Sequence, residues 1–257
     1  MDRALAGELR AAVGAARAWL AEWLEEGVEA SALAAPAREA GARLRAKGPP
    51  PAAPEAQGDL LAATRAGPRR TLDEVRARLG DCRRCPLCEG RSTIVFGDGK
   101  ADADILFVGE GPGAEEDKRG LPFVGRAGEL LTRMIERGME IPRSEVYICN
   151  IVKCRPPGNR EPAPNEVAAC RPFLDQQIEA VAPKVIVSLG RPATSLLLGR
   201  DVSITRVRGV WHDYRGTPLM PTFHPAFILR QYTEENRRLV WQDLKAALAR
   251  AREGQLS

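Results

Sequence analysis

Two groups of residues in this chain have types and spacings that can do chemistry. The first follows a short apolar run, Ile105–Val108, where Gly109, Gly111 and Ala114 are spaced as GxGxxA and a helix-like stretch comes next. A strand, a Gly-rich turn and a helix start of that outline can hold a pyrophosphate on backbone N–H groups. Yet the turn also carries Glu110, Glu115, Glu116 and Asp117. Two unit charges about 4 Å apart interact by roughly 4 kcal/mol at an effective dielectric of about 20, so these carboxylates would repel a diphosphate. Pro112 removes one N–H donor, and no acidic residue stands at a strand end further on to hold a ribose. The turn suits a neutral, planar, hydrogen-bonding ligand, with glycines allowing close approach of the backbone.

The second group is six cysteines. Cys82 and Cys85 form a CxxC and Cys88 continues the spacing; Cys154 and Cys170 follow much later, and Cys149 ends an apolar run. Four thiolates drawn from two distant segments can hold a metal centre. Zinc sites usually pair two short knuckles, and Cys154 and Cys170 belong to none, which leans towards a [4Fe–4S] cluster. Spacing leaves open the choice between Cys85 and Cys88, and between iron–sulfur and zinc. Cys149, inside its apolar strand, reads as core.

The elements that must position these residues alternate in type. Thr71 and Glu74 form a capping-box pattern with Gly80 as the stop, and the main domain is expected to start there. Strands are expected at Ile105–Val108, Val146–Cys149, Val185–Leu189 and near Leu219–Phe223. Helices are expected at Arg126–Arg137, Asn165–Val181, Pro192–Leu198 and Glu234–Arg252. This rhythm predicts βαβ units: an α/β fold with a central, mainly parallel sheet and helices on both faces, with ligands at the carboxyl ends of the strands. Gly109–Gly113, Asn150 and His224 each follow a strand, so three strand-end loops are expected to converge on one crevice.

Upstream, residues 1–47 read as a helical N-terminal extension, with Leu5, Leu9, Val13, Leu20 and Trp23 near one face, and residues 48–70 as a Pro/Ala-rich linker. No run of 18 apolar residues occurs and the start has no apolar signal region, so a cytoplasmic protein with no membrane association is expected. The net charge of +4 is compatible with a polyanion partner without requiring one.

The motifs together are identifiable. "GEGPGAEED", then "GLPFVGRAG", then "YICNIVKCRPPGNREP", then "HPA" at His224–Ala226, with CxxC upstream and Cys170 downstream, resemble the family 4 uracil-DNA glycosylases, the iron–sulfur members of that superfamily. The resemblance covers about residues 81–250. It implies a three-layer α/β/α sandwich, a [4Fe–4S] cofactor, uracil-containing DNA as partner, and hydrolysis of the uracil N-glycosidic bond to leave an abasic site and initiate base excision repair. It also implies that Cys82, Cys85, Cys154 and Cys170 hold the cluster, with Cys88 an extra thiol. Uracil would lie against the Glu110–Gly111 backbone, stack on Phe123, pair with Asn150 and meet His224, and Glu116 would stand where a wall against thymine's methyl is needed.

The residue types fit that chemistry. A base acted on in DNA must be extruded, and a stacking platform returns part of the cost. Asn150 can accept from uracil N3–H while donating to O4, a pattern that cytosine reverses. His224 could stabilise the negative charge that develops on uracil. For positioning the attacking water, Glu110 stands first, with Glu116 and Asn159 as alternatives. Arg155, Arg160, Arg171, Arg206 and Arg208 are candidate phosphate contacts. The alternative is an iron–sulfur protein that binds or cross-links uracil-DNA without turnover, and others are a non-catalytic DNA-binding module and an electron carrier. The protein is expected as a monomer, with a protein partner for residues 1–47.

Overall fold

The computed structural model describes residues 69–253, and the helix and linker expected upstream of residue 69 lie outside them. The chain divides into two units, residues 1–68 and 69–257, of which the second carries every element below.

Helix α1 (Leu72–Leu79) opens the described chain. Thr71 accepts from the Glu74 amide and Glu74 answers to the Thr71 amide, the reciprocal capping that the sequence pattern predicts. A one-turn helix α2 (Leu87–Gly90) follows the CxxC. The sheet strands are β1 (Asp98–Gly99), β2 (Ile105–Gly109), β3 (Tyr147–Asn150), β4 (Val185–Leu189), β5 (His212–Tyr214) and β6 (Thr217–Thr222). Their spatial order is β1-β3-β2-β4-β6-β5. The four central strands run parallel, and the two short edge strands pair antiparallel to them. The helices between are α3 (Ala114–Arg119), α4 (Arg126–Arg133), α5 (Pro164–Val181), α6 (Arg191–Leu198), α7 (Ile204–Val207), α8 (Pro225–Arg230) and α9 (Glu234–Arg252).

The expected strands and long helices are present, with some ends moved. β3 starts and ends one residue later than expected, which brings Asn150 into the sheet opposite Gly109. The helix expected to run to Arg137 is α-helical only to Arg133 and finishes in a π turn, Met134–Gly138. Gly138 lies against the indole of Trp241, so a side chain there would press on α9. The edge strands and α3 carry too little periodicity to be read from sequence.

β2 and β4 are buried along their whole length, as strands covered on both faces must be. Leu106, Val108, Tyr147, Cys149, Ile186 and Leu219 share one core with Leu174, Ile178 and Leu197 of α5 and α6. α9 packs on the sheet as well, with Val240, Leu244 and Ala247 buried, and α4 runs through its π turn onto α9. α1 closes a satellite core of Val75, Leu79, Phe96 and Phe173. Among the described residues no helix is long and apolar enough to cross a membrane.

Candidate active site and cysteine pocket

The carboxyl ends of β2, β3 and β6 open into one cleft of about 780 Å³, lined by Glu110, Gly111, Phe123, Asn150, Asn159 and His224 among others. The three strand-end loops therefore converge as their positions require in a parallel sheet.

Asn150 ends β3 with 1% of its surface exposed, and neither its amide oxygen nor its amide nitrogen has a hydrogen-bond partner. Buried amides are almost always paired, so a side chain with both ends open at the base of a cleft is set up for a ligand. The pairing of β2 with β3 places Gly109 directly across from it. A Cβ at Gly109 would lie 2.5 Å from Asn150 Oδ1 and 2.5 Å from Phe123 Cζ, so only glycine lets the amide and the ring sit this close.

Phe123 is buried and held in the left-handed region, φ 52°. Gly128 on the first turn of α4 makes room for its backbone, since a Cβ there would fall 1.9 Å from the Phe123 carbonyl carbon. Its ring lies 5.6 Å from that of His224, tilted by 34°. An uncommon backbone conformation over-determined by its surroundings suits a fixed platform.

His224 caps α8, its Nδ1 accepting from the Ala226 amide at 3.1 Å. That bond fixes the tautomer: the proton of the neutral ring is on Nε2. Burial, then the nearby Arg230, pull its pKa down to about 4, with Glu116 opposing. The ring is a neutral donor across the ordinary working range. Gly190, at φ 83°, lets the end of β4 approach the His224 Cβ.

Three of the four carboxylates of the turn have separate partners. Asp117 is buried and accepts from the Ser92 and Thr93 amides. Glu115 pairs with Lys118 at the surface. Glu116 accepts from Gly113, Val124 and Gly125 amides at 3.1, 2.9 and 2.8 Å, tying the turn after β2 to the loop that carries Phe123. Its oxygens are thus engaged by the backbone, and its part in the cleft is that of a rigid brace. Glu110 alone of the four takes no hydrogen bond from the described residues. Burial, then Glu161, hold its pKa above the usual carboxylate range, against the pull of Arg191 and Arg230. Asn159, at φ 57°, is exposed on the far lip and accepts from Arg155 Nε at 2.8 Å.

Two of the five arginines expected at DNA phosphates are held by partners within the fold. Arg171 bonds Asp175 and the Leu196 carbonyl, and Arg208 forms a two-pronged pair with buried Asp243 while donating to the Leu239 carbonyl. Sequence alone cannot distinguish a cation that faces a buried acid from one that faces solvent. Arg160 lines the cleft but is gripped by both oxygens of Glu166. Arg206 is exposed on α7. Three arginines that spacing did not single out also line the cleft: Arg126, Arg191 and Arg230. Arg191 pairs with Glu161 and Asp201, whereas Arg126 and Arg230 are exposed with no ion pair among the described residues. The sequence signal for Arg126 and Arg191 is a Gly-Arg step that opens a helix.

On the sheet face covered by α5, Cys82, Cys85, Cys154 and Cys170 line one small pocket together with Arg84 and Lys153. Cys88 is not among its walls, and Cys149 is a buried core residue. Arg84 donates to the Cys82 sulfur at 3.2 Å and Arg91 to the Cys154 sulfur at 3.4 Å. Burial pushes the Cys154 thiol up to about 11, against the pull of Arg91, and raises Cys85 and Cys170. Among the described residues no three His, Cys, Asp or Glu side chains converge as on a single ion.

The family model described as "Uracil DNA glycosylase superfamily" matches residues 96–245. The chain belongs to that superfamily. A type-4 uracil-DNA glycosylase of Thermotoga maritima is 52% identical over 178 residues, covering 68% of this chain and 92% of the relative. One of Sulfurisphaera tokodaii is 43% identical, covering 68% and 82%. A type-5 uracil-DNA glycosylase of Pyrobaculum aerophilum is 32% identical, covering 59% and 85%. The superfamily match spans β2 to β6 and so includes every strand-end loop that forms the cleft, while Cys82 and Cys85 precede it.

Proposed function

We propose that the protein is a uracil-DNA glycosylase of the type-4 kind, which extrudes uracil from DNA and hydrolyses its N-glycosidic bond. The observation that carries this reading is Asn150, a buried amide with both ends open beside a fixed aromatic ring. Uracil offers N3–H to its oxygen and O4 to its nitrogen. Cytosine would set donor against donor and acceptor against acceptor, leaving buried polar groups unpaired. Stacking on Phe123 offsets part of the cost of extrusion, roughly 1–3 kcal/mol. Glu116, braced on three amides, keeps the wall beside the base rigid enough to exclude thymine's methyl.

As the bond from uracil N1 to C1′ breaks, its electron pair passes onto uracil, and a neutral Nε2–H of His224 directed at O2 stabilises the anion as it forms. Water adds to C1′ and gives up a proton, for which Glu110, free of other partners, is the best-placed carboxylate, with Asn159 as the alternative group to orient it. Uracil and an abasic site are the products. Arg126 and Arg230, unpaired and exposed at the cleft, are the favoured phosphate contacts, with Arg155, Arg160 and Arg206 as outer ones.

The thiol pocket fits a [4Fe–4S] cluster held by Cys82, Cys85, Cys154 and Cys170. The ligands are soft, they line one pocket, and Arg84, Arg91 and Lys153 supply positive charge for thiolates. Such a group supplies a rigid cross-link between the segments that hold its ligands. On this reading the protein acts in the cytoplasm as a monomer, with a protein partner for residues 1–47.

The test is a cleavage assay on a single-uracil oligonucleotide followed by alkali, with wild type beside Asn150→Ala and His224→Ala. A uracil-dependent break that both substitutions weaken supports the reading. Retention of uracil-DNA without release of uracil would move the protein to the binding class.

A further inference from the structure

Lys153 is among the largest side chains the described fold buries completely, with 1% of its surface exposed. Taking an ammonium out of water is costly unless opposite charge and hydrogen bonds match it. Among the described residues no carboxylate pairs with it. Its hydrogen bond goes to a neutral acceptor, the backbone carbonyl of Asn150, at 2.7 Å. It lines the same pocket as Cys82, Cys85, Cys154 and Cys170, and no Asp or Glu does so. The counter-charge that this ammonium lacks in the protein is what thiolates gathered in that pocket would provide.

Asn150 and Cys154 are also ends of one buried strap. Ile151 and Val152 donate to the Gly109 and Glu110 carbonyls at 2.9 and 3.3 Å, and the Lys153 carbonyl accepts from Val95 at 2.8 Å. Ile151, Val152 and Lys153 are each at most 2% exposed. A side chain that reaches from the thiol pocket back to the Asn150 carbonyl closes this strap on itself.

We propose that Lys153 is a positioning residue: its buried charge is matched by a thiolate-held iron–sulfur cluster, and its bond to Asn150 couples that cluster to uracil recognition. This rests on the uracil-glycosylase reading above. Loss of the cluster leaves the ammonium without a counter-charge, so the strap relaxes and Asn150 is misplaced. Uracil binding then weakens before the chemistry at His224 does.

The test uses the full chain purified without oxygen, as wild type, Lys153→Met and Lys153→Arg. The readouts are iron and acid-labile sulfide per chain, the rate of bleaching by a chelator, the inhibition constant of free uracil, and kcat and KM on a uracil oligonucleotide. Lys153→Met is expected to bleach faster. Its uracil inhibition constant and KM should rise by about tenfold, as expected for losing one charge-assisted hydrogen bond, with a smaller change in kcat. Lys153→Arg, keeping the charge, should restore much of the cluster retention.

If Lys153→Met fails to fold by circular dichroism, bleached wild type that stays folded decides instead, and its uracil inhibition constant should rise. Unchanged bleaching and uracil inhibition in a folded Lys153→Met, or unchanged inhibition in bleached wild type, overturns the proposal. Wild type that releases no uracil from DNA would sink the glycosylase reading separately, because iron content and bleaching still report on Lys153.

Discussion

Gly109→Ala tests the geometry of the cleft with a single methyl group. The added Cβ would stand 2.5 Å from Asn150 Oδ1, 2.5 Å from Phe123 Cζ and 2.7 Å from Phe123 Cε2, distances at which something must move. The backbone of β2 cannot easily yield, since it pairs with β3 and β4 on either side and the Gly109 carbonyl accepts from Ile151. The Asn150 amide and the Phe123 ring are therefore displaced together. Overpacking of this kind costs stability by about 1–3 kcal/mol. Losing two hydrogen bonds to the base, about 1–3 kcal/mol, and the stack, about 1–3 kcal/mol, weakens transition-state binding by about 2–6 kcal/mol in all. At about 1.4 kcal/mol per tenfold, kcat/KM falls by about 30-fold to about 10⁴-fold. The assay is uracil release from a single-uracil oligonucleotide at 25 °C, with thermal melts to separate stability from chemistry. Gly90→Ala, where an added Cβ meets nothing within 4 Å, is the control and should behave as wild type. A folded Gly109→Ala with kcat/KM within about threefold of wild type would refute the assignment of Asn150 and Phe123 to the base, because the predicted loss is at least tenfold larger.

Three further outcomes are expected. Arg126→Gln and Arg230→Gln should each reduce the slope of log KM against log salt by about 1, while Arg171→Gln should lower the melting temperature and leave the slope alone; equal slopes in all three would remove the two arginines from the phosphate contacts. His224, with its pKa pulled down to about 4 from 6.5, should give kcat no inflection near pH 6.5; an inflection there that vanished in His224→Gln would refute the neutral-donor role. The same shift makes a prediction for stability. The unfolded chain takes up the proton first on acidification, so the contribution of His224 to stability is complete above about pH 6.5 and is lost as pH falls towards about 4. Denaturant melts of wild type and His224→Gln across that window should differ by this amount, and parallel curves would contradict it.

Local pattern was enough for the parts of this protein whose causes are local. The capping box at Thr71 and Glu74, the apolar runs of β2 and β4, and the alternation of strand and helix follow from propensity and periodicity over a few residues. From the alternation came the parallel sheet, and from the parallel sheet the convergence of Gly109, Asn150 and His224 at its carboxyl edge. The motif order carried the family. What tertiary structure decided is which group meets which. Four carboxylates in one turn looked like a single field of negative charge, yet three of them have partners in other segments or on the surface, and of the four only the Glu110 carboxylate takes no hydrogen bond from the described residues. Arg208 and Arg126 are both arginines beside a glycine in the sequence. One faces a buried aspartate on α9 and the other faces solvent at the cleft, because charge pairing depends on side chains brought together from distant parts of the chain. Lys153 carries no role that the sequence alone assigns, and only folding buries it between the thiol pocket and the carbonyl of Asn150.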